Sequence, residues 1–171
     1  MNPDDLRQLD SALILCNRAA RVFGTLLSSP APVRSWLAHP RGRDPWVAER
    51  RLRRDLVKEL AFGWDFAIWR RAAASKVFIR PGYYPGSGSA ELGIDVVTET
   101  LSLATVLRDF ARPDPPWRLG GARKVVIGAR IDDRNLSVDE SVGWLGDRLR
   151  ELSESGWLDT FDKAGNRGAG S

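Results

Sequence analysis

Residues 124–131 form the cleanest strand pattern in the chain. Val125, Ile127, Ala129 and Ile131 fall on one side, and Lys124, Val126, Gly128 and Arg130 on the other. That period of two belongs to a strand with one buried face. Shortly after it, Ser137 and Glu140 are spaced as a capping box, and Val138, Val142, Leu145, Leu149 and Leu152 then share a helical face. A strand leading into a long amphipathic helix must bury both apolar surfaces in one core, so the chain needs a sheet layer and a helix layer.

The remaining segments fit that plan. Asn2, Pro3, Asp4 and Asp5 start a helix, with a cap, a first-turn proline and dipole-favoured acids. Leu6, Leu9, Leu13, Cys16, Ala20 and Phe23 form its seam, and Gly24 is the expected stop. Cys16 lies on the seam and reads as a small core residue. A short helical turn is expected over 33–38, then a loop holding His39. Asp44, Pro45 and Gly63 bracket a helix over 45–62 with an apolar face of Leu52, Leu56 and Leu60. The residues from Trp64 to Arg71 carry both strand and helix signals; alternation favours a strand. Two prolines and three glycines mark 81–89 as a loop.

The expected fold is therefore α+β: a small mixed sheet of about four strands (64–71, 76–80, 91–98, 124–131) packed by helices (3–23, 45–62, 101–110, 138–155). One domain spans 1–162, with an N-terminal helical segment over 1–43 and a sheet-containing core over 44–162. Residues 163–171 read as a flexible tail, into which Trp157, Leu158 and Phe161 lead after folding back on the core. A chain of 171 residues with 43% hydrophobic and 28% charged residues has the composition of a single globular domain. No apolar run approaches the roughly 18–20 residues of a membrane span. One cysteine allows no internal disulfide, and the N-terminus lacks the basic start of a secretory signal, so a cytoplasmic location is expected.

Several chemistries are poorly served. One histidine and one cysteine in separate segments do not build a triad or a zinc cluster. Gly86-Ser87-Gly88 lacks the lysine of a Walker loop and leads into a strand, so it reads as a hairpin tip. The net charge of +4 is unevenly spread. Residues 41–71 hold nine basic side chains against five acids, whereas 131–162 hold three against nine.

Two constellations carry functional expectations. In the first, Arg50, Arg51, Arg54 and Lys58 on the 45–62 helix join a hairpin bearing Trp69, Arg71, Lys76, Phe78 and Arg80. Aromatic planes beside arginines make a stacking and phosphate-binding surface for DNA or RNA. Alternatively, Trp69 and Phe78 lie beneath a helix with the arginines at the rim. In the second, Glu91, Asp95 and Glu99 alternate onto one strand face, but positions four apart are about 13 Å apart. A metal site would need another carboxylate, such as Glu49 or Glu59 from the preceding helix, and would then suit Mg²⁺-assisted phosphodiester hydrolysis. Otherwise these acids pair with Lys124 or Arg130 across the sheet.

The order helix, three strands, helix, strand over 44–131 resembles the restriction-endonuclease-like (PD-(D/E)XK) core. Asp95 matches that family's acidic position. Arg80-Pro81-Gly82-Tyr83 and Asp95-Val96-Val97, however, place Gly82 and Val97 where the family carries an aspartate and a lysine. The resemblance thus implies a catalytically degenerate member that binds nucleic acid or a partner. Three readings follow. The leading one is a non-catalytic nucleic-acid-binding protein or subunit without a cofactor. The second is a Mg²⁺-dependent nuclease using Asp95, Glu91 and Glu49. The third is a structural or regulatory module that docks a protein partner of a bacterial or viral assembly through its charged faces.

Overall fold

The computed structural model describes residues 3–28, 37–38, 69–70, 76–86, 90–121 and 124–167. The expected helix over 45–62, with Glu49, Arg50, Arg51, Arg54 and Lys58, lies outside them, as do Arg71 and His39. Among the described residues four helices pack on a six-stranded sheet, an α+β arrangement. The elements are α1 (Pro3–Ser28), β1 (Leu37–Ala38), β2 (Trp69–Arg70), β3 (Val77–Pro85), β4 (Ala90–Thr98), α2 (Leu101–Arg108), β5 (Trp117–Leu119), β6 (Val125–Ile131), α3 (Val138–Glu154) and α4 (Trp157–Arg167). The strand order is β1-β2-β3-β4-β6-β5, and every pairing is antiparallel.

Strand alternation divides the sheet into two unlike faces. Val77, Ile79 and Tyr83 of β3, Leu92, Ile94 and Val96 of β4, and Ile127 and Ala129 of β6 enter one core. The helices supply the other half: Cys16, Ala19, Val22, Phe23 and Leu26 of α1, Ala104 and Leu107 of α2, Leu145, Leu149 and Leu152 of α3, and Leu158 and Phe161 of α4. Each fully buried leucine here contributes about 1.5–3 kcal/mol. The N-terminal segment therefore shares the sheet's core, and Leu37–Ala38 adds a strand to the same sheet.

Several expected boundaries are corrected. Helix α1 runs through Gly24 to Ser28, because Leu26 (2% exposed) continues the buried seam for another turn. The seam is also rotated, leaving Leu13 on the surface and burying Ala19 and Val22. Leu37 and Ala38, expected in a helical turn, pair instead with Arg70 and Trp69. Strand β3 extends to Pro85 across the expected loop. Nine consecutive residues find partners on β4, and such pairing overrides the local preference of Pro81, Gly82 and Pro85. Helix α2 ends at Arg108 and buries Ala104 and Leu107, leaving Val106 and Phe110 exposed. Residues 163–167, expected in the tail, continue α4. Gly156 turns the chain from α3 into α4 with φ of +71°, a conformation that favours glycine. The capping box is as expected: the Glu140 amide donates to Ser137 Oγ and the Ser137 amide to Glu140 Oε2. These backbone and side-chain hydrogen bonds from Ser137 hold the Glu140 carboxyl below the usual range.

Candidate functional site

The second sheet face carries the polar chemistry. Adjacent strands line up in rows: Tyr84 opposite Glu91, Gly82 with Gly93 and Arg130, and Arg80 with Asp95, Gly128 and Arg118. Alternation places these residues opposite the core-facing set. Three arginines from three strands, β3, β5 and β6, thus share one face of the sheet.

Arg130 is the most tightly built of them. Its guanidinium lies 3.7 Å from the centre of the Tyr84 ring, a cation–π stack. Nη2 donates to Asp95 Oδ1 at 2.5 Å, and Nη1 donates to the Ala129 and Ile94 carbonyls at 2.9 and 3.2 Å. Two glycines leave room for this arrangement. A β-carbon at Gly93 would sit 2.6 Å from both Arg130 Cδ and the Ala129 carbonyl oxygen. One at Gly128 would sit 2.5 Å from Asp95 Oδ1. Tyr84 is fixed in turn by its hydroxyl, which donates to the Arg80 carbonyl at 2.5 Å, so the ring runs back along β3 past Gly82.

Arg118 is placed by its neighbour. Trp117 packs into the core, meets Trp157 edge-to-face at 6.0 Å and donates Nε1–H to Glu151 Oε2 at 2.8 Å. The next residue must then point to the other face, where Arg118 borders a groove of about 540 Å³. Glu91, Asp95, Arg130 and Leu119 also line this groove, and Gly120 and Gly121 form part of its wall. Arg108 steadies one end by donating Nε–H and Nη2–H to the Val125 carbonyl at 3.0 and 2.8 Å. Glu91 and Arg118 have no hydrogen-bond or ion-pair partner among the described residues.

The site residues expected from sequence divide accordingly. Phe78 and Arg80 lie on the polar face, both half-buried, and Lys76 just precedes β3. The register sets position 69 opposite Ile79, in the row alternating with Phe78 and Arg80. The expected joining of Trp69 to those residues on one face is therefore corrected by a one-residue difference in pairing. Asp95 and Glu91 share the polar face as expected, whereas Glu99 follows β4 in an exposed bend. Asp95 takes the pairing with Arg130 that the sequence offered as its non-catalytic role. No group of three or more His, Cys, Asp or Glu is placed to hold a metal ion among the described residues. Arg118 was not anticipated; its signal is the single Trp117–Arg118 step, with one side chain suited to each face.

A second polar cluster lies under the helices. Asp133, just past β6, is 2% exposed. It accepts from Arg18 Nε at 2.8 Å, the Tyr83 hydroxyl at 2.6 Å and Ser141 Oγ at 3.3 Å. Burial, then the hydrogen bond and charge of Asp133, push the Tyr83 phenol up, and Arg18 only partly opposes them. Burial disfavours the Arg18 charge, but Asp133 more than offsets this and raises its pKa.

Comparison with known proteins yields no match to a family model, a curated protein or a solved structure. Among the described residues no helix is long and apolar enough to cross a membrane.

Proposed function

We propose that this chain is a non-catalytic nucleic-acid-binding protein or subunit, and that it binds through the polar face of its sheet. The observation carrying the reading is the convergence of Arg80, Arg118 and Arg130 on that face, with Tyr84 and Phe78 among them and a groove between β4 and β5. Guanidinium groups supply phosphate contacts, and the half-buried Phe78 supplies stacking surface. The restriction-endonuclease-like resemblance enters the proposal only in its degenerate form. Asp95 is bonded to Arg130, which favours a structural role for that carboxylate over metal binding.

Fluorescence anisotropy with labelled single strands of about ten nucleotides tests the proposal. Each phosphate contact adds about −0.7 to the log–log salt slope for a single strand. Arg118→Glu should weaken binding about tenfold or more with an unchanged circular dichroism spectrum. Absence of wild-type binding to DNA and RNA at about 50 mM salt would overturn the reading.

A further inference from the structure

The groove beside Arg118 has a composition that a purely phosphate-binding surface does not need. It carries a cation and a carboxylate, Arg118 and Glu91, that no described residue engages, while the Arg130–Asp95 pair occupies its floor. A repulsive carboxylate at the edge of a polyanion site weakens binding unless it meets a donor on the ligand. Resting on the nucleic-acid reading above, we infer that the groove holds one guanine nucleotide of a single strand. Glu91 reads the base, and Arg118 holds the phosphate.

The choice of base follows from donor pattern. An ionised carboxylate only accepts, and it accepts best as a fork. On its Watson–Crick edge guanine presents two adjacent donors, N1–H and the N2 amino group. Adenine and cytosine each set one amino donor beside an acceptor nitrogen, and thymine or uracil sets one N–H between two carbonyls. Only guanine matches both oxygens of Glu91 without placing an acceptor against them.

Register supplies the length. Arg118 lies two strands from Asp95, and Glu91 lies four residues from Asp95 along β4. Their Cα atoms are thus about 16 Å apart on the diagonal. An arginine and a glutamate reaching inward shorten that span to roughly one nucleotide. The groove's volume of about 540 Å³ falls within the usual range for a bound small molecule, about 300–1,000 Å³.

The test compares oligo-dT strands of about eleven residues carrying one central dG, dI or dA, titrated against the wild-type protein and Glu91→Gln. Inosine lacks the N2 amino group. The wild type should bind the dG strand about tenfold tighter than the dA strand, with dI between them. Glu91→Gln should reduce the dG-to-dA ratio to near one, and circular dichroism reports whether it is folded. Binding of all three strands with equal affinity would overturn guanine selection and leave the general reading standing. A preference surviving in folded Glu91→Gln would overturn the role of Glu91. No binding of any strand would overturn both. Guanosine monophosphate carries the same edge and phosphate, and should displace the dG strand only at about a hundredfold higher concentration than the strand itself. Displacement at equal concentration would move the assignment from a strand to a free nucleotide.

Discussion

Replacing Arg18 with methionine should destabilise the fold by about 3 kcal/mol. The side chain joins α1 to the segment after β6 through four hydrogen bonds. Nε reaches Asp133 Oδ2 at 2.8 Å, while Nη2 reaches the Asp133 carbonyl at 2.8 Å, the Leu136 carbonyl at 2.7 Å and Ser141 Oγ at 3.0 Å. Methionine keeps much of the stem's packing and removes the charge. The Asp133 carboxylate, 3% exposed in its side chain, then retains only the hydroxyl donors of Tyr83 and Ser141. Breaking a buried ion pair from one side costs about 3–5 kcal/mol. The lower end applies because the Arg18 side chain is 23% exposed, so water partly replaces it. With a urea m-value of about 2 kcal/mol/M, the unfolding midpoint should fall by about 1.5 M at unchanged slope. A cycle with Asp133→Asn should show a coupling of about 1 kcal/mol or more. A loss below about 0.5 kcal/mol for Arg18→Met, or strictly additive effects in the cycle, would refute the clamp.

Gly93→Ala should cost about 2 kcal/mol in urea unfolding, because the added carbon meets the Ala129 carbonyl as well as the flexible Arg130 stem; a neutral result would show that β4 and β6 have room between them. Alkaline stability should report Tyr83. With its folded-state pKa raised, the unfolded chain loses the proton first, so the contribution is constant below about pH 10 and declines as pH rises toward the folded value, by up to about 1.4 kcal/mol per pH unit. Tyr83→Phe should be less stable at neutral pH and should remove that part of the slope in unfolding curves between about pH 9 and 11; parallel slopes for the two proteins would contradict it.

The parts of this molecule legible from sequence are those where one local pattern decides the outcome. Strand β6 and helix α3 combine clean periodicity with a capping box, and both form within a residue of their expected limits. Where the outcome depends on a distant partner, the local signal misleads. Pro81 and Pro85 ordinarily mark a loop, but β4 offers an uninterrupted partner and the strand continues. Gly24 ordinarily stops a helix, but Leu26 has a core to enter. Val126 is fully buried although alternation assigns it to the polar side; the pairing shifts between Val96 and Val97, where Val97 meets Val125. The polar face was half-legible: Asp95, Gly128 and Arg130 could be placed on it, but the coupling of Gly93 and Gly128 to a flat-lying arginine needs the register between strands.

That register also explains how two unlike faces are held by one dipeptide. Tyr83 points into the core, meets Phe23 edge-to-face at 6.2 Å and donates to Asp133. Tyr84 points the other way and lies beneath the Arg130 guanidinium. Asp133 and Arg130 lie close in sequence at the end of β6, so adjacent tyrosines of β3 contact both ends of one short segment, one on each side of the sheet. A slip of β3 by one residue would carry the Tyr83 phenol out of the helix layer and leave Asp133 without its shortest hydrogen bond, while setting Tyr84 against the core. The buried clamp therefore penalises any pairing that would unseat Arg130. The polar face takes its rigidity from a cluster that no ligand needs to touch.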